Sequence, residues 1–298
     1  MSLTNTQRIS FALYLTLSMF SFMLTAHDTS EGALSGYTQE AVDLVEFLYG
    51  DGMLELGNTA SIDDMFSGID LNNKYILDIG AGIGGVDTYL AQNHTVTILG
   101  VDPERMLVER ATQRANDLKQ SFQGSVTFEL CENNNLAQYA DNTFDIVMSR
   151  SAILHVPHAD KQSYFAEMLR VLKPGGLLII DDWMHPSSDY TEAVREMMKA
   201  DGIPYHLITP AEYKNMLTIA DFTNITLRDT TDRAYAASAD VCQKARDDKT
   251  EMIARFGEDL YLFSLESWSL QTGIFQRREL LTGIVTAQKS KEDFYRKS

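Results

Sequence analysis

Apolar and polar positions along this chain follow two periods, one near 2 and one near 3.6. Tyr75, Ile76, Leu77 and Ile79 form an apolar run that reads as a strand buried on both faces. It breaks into glycine at Gly80, Gly82, Gly84 and Gly85, and a helical pattern follows. A second apolar run, residues 96–101, ends in Asp102. Residues 142–149, opened by Phe144-Asp145, read as a later strand. Residues 168–182 read as a helix end, a Pro174-Gly175-Gly176 turn and another buried strand. Further on, residues 222–227 alternate like a strand, and residues 283–287, short and β-branched, suit a final one. Helical recurrence marks residues 37–49 (Ala41, Val42, Leu44, Val45, Leu48), 58–66 and 244–263. Thr209-Pro210-Ala-Glu212 is a helix start, with Thr209 as cap. The strand–helix alternation from Tyr75 to about Ile180 predicts an α/β fold, a mainly parallel sheet with helices on both faces. Residues 183–208 lack a periodic strand pattern and are expected to form a helical lid insertion over a substrate mouth.

The glycine-rich turn carries the most chemistry. Glycines between a strand and a helix let backbone approach a ligand closely and adopt angles that a Cβ forbids. Asp102 lies 102 − 80 = 22 residues beyond the first glycine, which suits an acid accepting from ribose hydroxyls at the tip of the next parallel strand. The unit binds a nucleoside. Glycines at 80, 82 and 85 satisfy the dinucleotide pattern, so NAD stays open on this motif alone. Asp78, inside the strand two residues earlier, tilts the choice toward a ligand that brings an amino group rather than a pyrophosphate.

Bulk properties narrow the partners. The 298 residues can bury one sizeable core with an elaborated cap. A net charge of −17 argues against nucleic acid and anionic lipid, and is compatible with cationic amines or small zwitterions. Cys131 and Cys242 are far apart, with no metal spacing, and read as ordinary thiols; no metal is expected. Residues 9–26 are 18 uncharged residues preceded by Arg8. They admit three readings: an anchor, an export signal, or an extension upstream of a working start at Met23. Ser10, Thr16, Ser18, Ser21 and Thr25 weaken a span, and a nucleoside ligand made and kept in the cytosol argues against export. Residues 1–26 are therefore read as a non-catalytic extension or anchor of a cytoplasmic enzyme, contacting membrane only through residues 9–26. Residues 27–36 look like a linker. Residues 27–298 are expected to form a single domain: helical cap 37–66, nucleoside-binding core 75–182, lid 183–208 and substrate side 209–298.

In order, Asp78-Ile-Gly-Ala-Gly-Ile-Gly-Gly85, Gly100-Val-Asp-Pro103, Phe144-Asp-Ile-Val147 and Arg170-Val-Leu-Lys-Pro-Gly-Gly176 resemble the class I S-adenosylmethionine-dependent methyltransferases. That resemblance covers roughly residues 37–185. It implies a Rossmann-like sheet of seven strands and S-adenosylmethionine as methyl donor. The donor would lie along Gly80, Gly82 and Gly84, with Asp78 near its ammonium or behind the loop, Asp102 on its ribose and Pro103 near its adenine. Asn133 or Asn134 would accept from the adenine amine, and Arg150 and Ser151 would complete the donor side.

Ser149-Arg-Ser-Ala-Ile-Leu-His155, with Tyr37-Thr-Gln-Glu-Ala-Val42 and Phe47-Leu-Tyr-Gly50, is similar to the phosphoethanolamine N-methyltransferases. By that resemblance His155 and Tyr37 are the pair that closes the site and orients or deprotonates the amine, with the phenol latched onto the imidazole by a hydrogen bond. There are departures. The family's acid at position 151 is a serine. Its phosphobase-binding tyrosines and arginine fall on Val45, Asp182 and Ile203; Tyr205 alone keeps its type. A phosphate dianion without those partners binds poorly. Glycine, sarcosine and dimethylglycine N-methyltransferases have similar motifs, and Arg277 or Arg278 would then meet a carboxylate. Asp182 and Trp183 would stabilise a cationic amine. The expectation is a small amine acceptor. Its competitors are a lipophilic carbon or oxygen acceptor, with residues 184–198 lining a greasy tunnel, and a non-catalytic nucleoside-binding protein.

Overall fold

The computed structural model describes residues 37–131, 136–187 and 189–291. Seven strands form one sheet: β1 (Tyr75–Ile79), β2 (Thr97–Asp102), β3 (Ser125–Leu130), β4 (Phe144–Arg150), β5 (Leu172–Met184), β6 (Thr223–Asp229) and β7 (Leu281–Gln288). Their spatial order is β3-β2-β1-β4-β5-β7-β6, parallel throughout except for β7, which runs antiparallel to both of its neighbours. The helices are α1 (Gln39–Tyr49), α2 (Thr59–Met65), α3 (Gly85–Asn93), α4 (Arg105–Leu118), α5 (His158–Val171), α6 (Glu192–Asp201), α7 (Pro210–Ile219), α8 (Thr231–Asp247), α9 (Lys249–Phe256) and α10 (Glu258–Gln276). Among the described residues no helix is long and apolar enough to cross a membrane. Residues 9–26 lie outside that set.

Side-chain alternation divides the core. Leu77, Ile79, Val147, Leu178 and Ile180 pack on one face of the sheet with Phe165, Met168, Tyr213 and Leu217 of α5 and α7. Ile76, Ile98, Ile146, Met148 and Ile179 pack on the other with Ile62, Met65 and Leu90 of α2 and α3. Because strand side chains alternate, each central strand feeds both layers and reads as a continuous apolar run. The direction of the strand order reverses between β1 and β4, which opens a crevice at the carboxyl ends of the strands.

Local chemistry sets several boundaries. Thr38 and Asn58 cap α1 and α2 by accepting from the N–H of Ala41 and Ala60. Thr209 and Glu212 form a reciprocal capping box, as their spacing predicts. Three expectations change. The Pro174-Gly175-Gly176 turn is absorbed into β5 as an irregularity: Phe144 pairs with Leu172 but Ile146 with Leu177. The helix expected over residues 244–263 is parts of three helices, divided near Asp248 and at Gly257, whose φ of +86° ends one and starts another. Finally, residues 183–208 begin as strand, since β5 reaches Met184, and then form α6. Met184 and Met197 are 1% exposed and packed in the core, so they line no tunnel.

Candidate active site

The crevice between β1 and β4 holds a cavity of about 330 Å³, floored by Ile79, Gly80, Gly82, Asp102 and Pro103. Gly80 has φ +79°, and a Cβ there would sit 2.2 Å from the Ala152 side chain, so the turn tolerates no side chain. Asp102 at the end of β2 is clamped from both sides. Its Oδ2 accepts from the Gly82 N–H and its Oδ1 from the Glu104 N–H, both at 2.9 Å. Burial raises the carboxyl to about 6 while these two N–H donors pull it down. A further pair of hydroxyl donors would favour its ionised form in the same way.

The other donor-side residues divide. Ser151, in the left-handed region at φ +50°, and Arg150 line the cavity. Arg150 is mainly an anchor: Nη2 donates to the Leu56 carbonyl and to Ser61 Oγ, both at 2.8 Å, and Nη1 lies 3.3 Å from Glu55 Oε1. Asp78 lies behind the loop rather than in it. It is buried against Asp87 of α3, and burial together with that neighbour pushes its carboxyl well up. Gly84 does not line the cavity. It caps α3 at φ +76°, and a Cβ there would meet the Phe128 ring at 2.5 Å, so its role is helix packing. Asn133 and Asn134 lie outside the described residues.

A second cavity, of about 240 Å³, lies between α1, α10 and the end of α6. The two cavities share a wall made by Tyr37, Leu54, Glu55, Ser151, His155 and Ile203. His155 ends a 3-10 turn, Ile153–His155, held from below by Lys161, whose ammonium donates to the Ile153 carbonyl. The Pro204 carbonyl, 2.8 Å from Nδ1, accepts a hydrogen bond from the Nδ1–H, which fixes the tautomer and leaves Nε2 as the basic nitrogen. Burial lowers the imidazole pKa, opposed by that hydrogen bond. Tyr37 is on the same wall, but no hydrogen bond joins it to His155, so the expected latch is absent. Trp183 and Tyr205 line the second cavity, with Tyr205 packed on His155 at 5.2 Å between ring centroids.

The chain is 28% identical over 257 residues to a phosphoethanolamine N-methyltransferase of Plasmodium falciparum, covering 85% of this chain and 93% of that one. It is 29% identical to phosphoethanolamine N-methyltransferase 1 of Triticum aestivum, again over 85% of this chain but only 49% of the plant protein, so it spans about half of that relative. The structure of phosphoethanolamine N-methyltransferase 2 from Haemonchus contortus, solved with phosphomonomethylethanolamine and S-adenosylhomocysteine, superposes with a TM-score of 0.78. There the identity is 22%, and the match covers 85% of this chain and 58% of the other. Residues 77–180 match the family described as methyltransferase domain. The chain is an S-adenosylmethionine-dependent methyltransferase.

Three acceptor-side expectations for this methyltransferase are corrected by the structure. Asp182 and Trp183 are neighbours on β5, so they face opposite sides of the sheet. Trp183 reaches the cavity, whereas Asp182 turns into the core, accepting from the Tyr213 hydroxyl at 2.5 Å. Burial raises Asp182 to about 7, with Lys161 opposing. Arg277 and Arg278 follow α10 and line neither cavity; Arg277 pairs with Glu279, and Arg278 with Asp229 and Asp232. Sequence reasoning missed Glu55, Asp201, Trp268 and Gln271, all on the second cavity. The spacing of Leu260, Phe263, Ser267, Trp268 and Gln271 on one face of α10 was the available signal. Asp201 had none. Among the described residues no cluster of His, Cys, Asp and Glu is placed to hold a metal.

Proposed function

We propose that this methyltransferase transfers a methyl group to the nitrogen of a small amine, with the donor in the cavity over β1, β2 and β4 and the amine in the cavity under α1 and α10. The observation that carries the reading is the shared wall: one imidazole, with its basic Nε2 defined by the Pro204 hydrogen bond, belongs to both cavities. The donor cavity fits S-adenosylmethionine. Gly80, where a Cβ would meet Ala152, and Gly82, held at φ +56°, offer bare backbone to the cavity, and Asp102 stands ready for the ribose hydroxyls. When bound, S-adenosylmethionine supplies an electrophilic methyl on a positively charged sulfur. His155 takes a proton from the acceptor ammonium, so that the nitrogen presents a lone pair. Tyr37 and Ile203 close the wall and exclude water, while Trp183 and Tyr205 orient the amine. The relatives named for phosphoethanolamine support an amine acceptor, and the apolar C- or O-acceptor loses its tunnel. A cytosolic site of action follows from where the donor is made.

The test is transfer of labelled methyl from S-adenosylmethionine by the purified chain to a panel of ethanolamine phosphates, glycine derivatives, simple amines and a quinol. Label on nitrogen supports the reading. Label on the quinol alone, or donor binding without transfer to any acceptor, overturns it.

A further inference from the structure

The acceptor cavity has a chemical signature of its own, and the inference drawn from it rests on the amine-methylating reading above. Among the described residues no lysine or arginine lines this cavity; its ionisable side chains besides His155 and the tyrosines are Glu40, Glu55 and Asp201. Asp201, at the end of α6, accepts from the Tyr205 hydroxyl at 2.6 Å, and burial raises it to about 6. Gln271 on α10 is only 7% exposed, and its Oε1 has no hydrogen-bond partner. Each of these groups accepts hydrogen bonds. A complementary ligand therefore brings positive charge or hydrogen-bond donors, and an anionic group would be desolvated beside carboxylates with no lysine or arginine of this wall to meet it. Most of the remaining wall is aromatic and aliphatic, including Trp183, Tyr205 and Trp268, whose faces attract a cation and cover an apolar body.

We propose that the acceptor is a cationic amine on an aryl or alkyl body, carrying neither phosphate nor carboxylate, with Asp201 and the rings of Trp183, Tyr205 and Trp268 as its recognition elements. This separates the chain from the substrate for which its relatives are named. Ile203 and Tyr205, on the short segment after α6, place the apolar wall next to the reacting nitrogen, while α10 supplies the far end. The cavity thus selects by the absence of charge on the distal part of the ligand.

The experiment exploits the two tryptophans of the chain, Trp183 and Trp268, both of which line this cavity. Phenethyltrimethylammonium, a quaternary amine that accepts no methyl, is titrated into the full-length protein and read by tryptophan fluorescence, with phosphocholine as the phosphorylated counterpart. Phenethyltrimethylammonium is expected to bind at least 30-fold more tightly. The D201N variant should weaken it about tenfold and leave S-adenosylmethionine affinity and melting temperature unchanged. In turnover, phenethylamine should exceed phosphoethanolamine in kcat/KM by a similar factor. Tighter binding of phosphocholine, or an unaltered Kd in D201N, overturns the proposal. Efficient methylation of phosphoethanolamine sinks it while leaving the amine-methyltransferase reading intact; methylation of the quinol alone sinks both.

Discussion

The donor cavity and the acceptor cavity share one wall but are built by different means. The donor side rests on strand ends: Gly80 and Gly82 after β1, Asp102 closing β2 with Pro103 after it, and Ser151 after β4. Strands held in register by their neighbours fix these backbone atoms, so the site is rigid and its residues come in short contiguous motifs. The acceptor side is assembled from α1, the segment after α6, and α10, spanning Tyr37 to Gln271. Of these, α1 and α10 pack with α8 and α9 in a cluster of their own, through Leu44, Leu48, Val241, Met252 and Tyr261. A charged strap also holds α1: Arg110 of α4 pairs with Asp43 and Glu46, and Arg114 with Glu46 and Asp51. On the proposed reading, the methyl-donor chemistry is carried by the sheet and the choice of acceptor by the helices beside it.

The sharpest way to break this division is at the shared wall. H155A should lower kcat by about 10²–10⁴-fold, the usual worth of a positioned base, while donor affinity measured calorimetrically stays within threefold. Unimpaired turnover would show that the imidazole is only packing. On the donor side alone, D102A should weaken S-adenosylmethionine by about 1–3 kcal/mol, the scale of losing hydrogen bonds to a charged group, with the tryptophan-detected amine affinity unchanged. If both affinities fell together, the cavities would not be separable.

Where the two regions touch, Gly85 of α3 packs on the backbone that follows α1, and an added Cβ would lie 2.0 Å from the Gly52 carbonyl oxygen. G85A is expected to cost about 1–3 kcal/mol by overpacking, read from the urea midpoint. A wild-type midpoint would mean that the cap moves independently of the sheet.

The donor loop also carries a pH signature. Burial raises Asp87 from its ordinary value of 3.8 to about 7, beside Asp78. The folded chain therefore binds that proton more tightly than the unfolded one. Its stabilising effect is complete below about pH 4 and lost as pH rises through about 7. D87N should accordingly melt above wild type at pH 8, with the gap closing near pH 4; a constant gap would place the effect elsewhere. The smallest change expected is R278A, whose partners Asp229 and Asp232 lie outside both cavities: stability within about 0.5 kcal/mol and an unchanged amine Kd. A raised Kd would return that arginine to the site.

Strands β1, β2, β4 and most of β5, and the place of Asp102 at a strand tip, were legible because each depends on neighbours close in sequence: an apolar run, a glycine turn, an acid one strand later; β3, whose side chains alternate between exposed and half-buried, offered no such run. The helix start at Thr209 was legible for the same reason. Even within this region the sequence left Asp78 undecided between the ligand and the rear of the loop, and placed Gly84 on the donor; only the approach of Asp87 and of Phe128 assigned them. The acceptor side was far less legible. Asp182 and Trp183 looked like one pair until pleating sent them to opposite faces; Trp268 and Gln271 share only a helical spacing that does not tell a cavity wall from core, and Asp201 carries no local pattern at all. By itself the sequence determined the mainly parallel nucleoside-binding core, since local periodicity and turn chemistry specify its main strands and the glycine cradle between them. The tertiary structure alone decided the acceptor chamber, because its walls come from helices up to 230 residues apart, brought together by core packing rather than by any interaction between near neighbours.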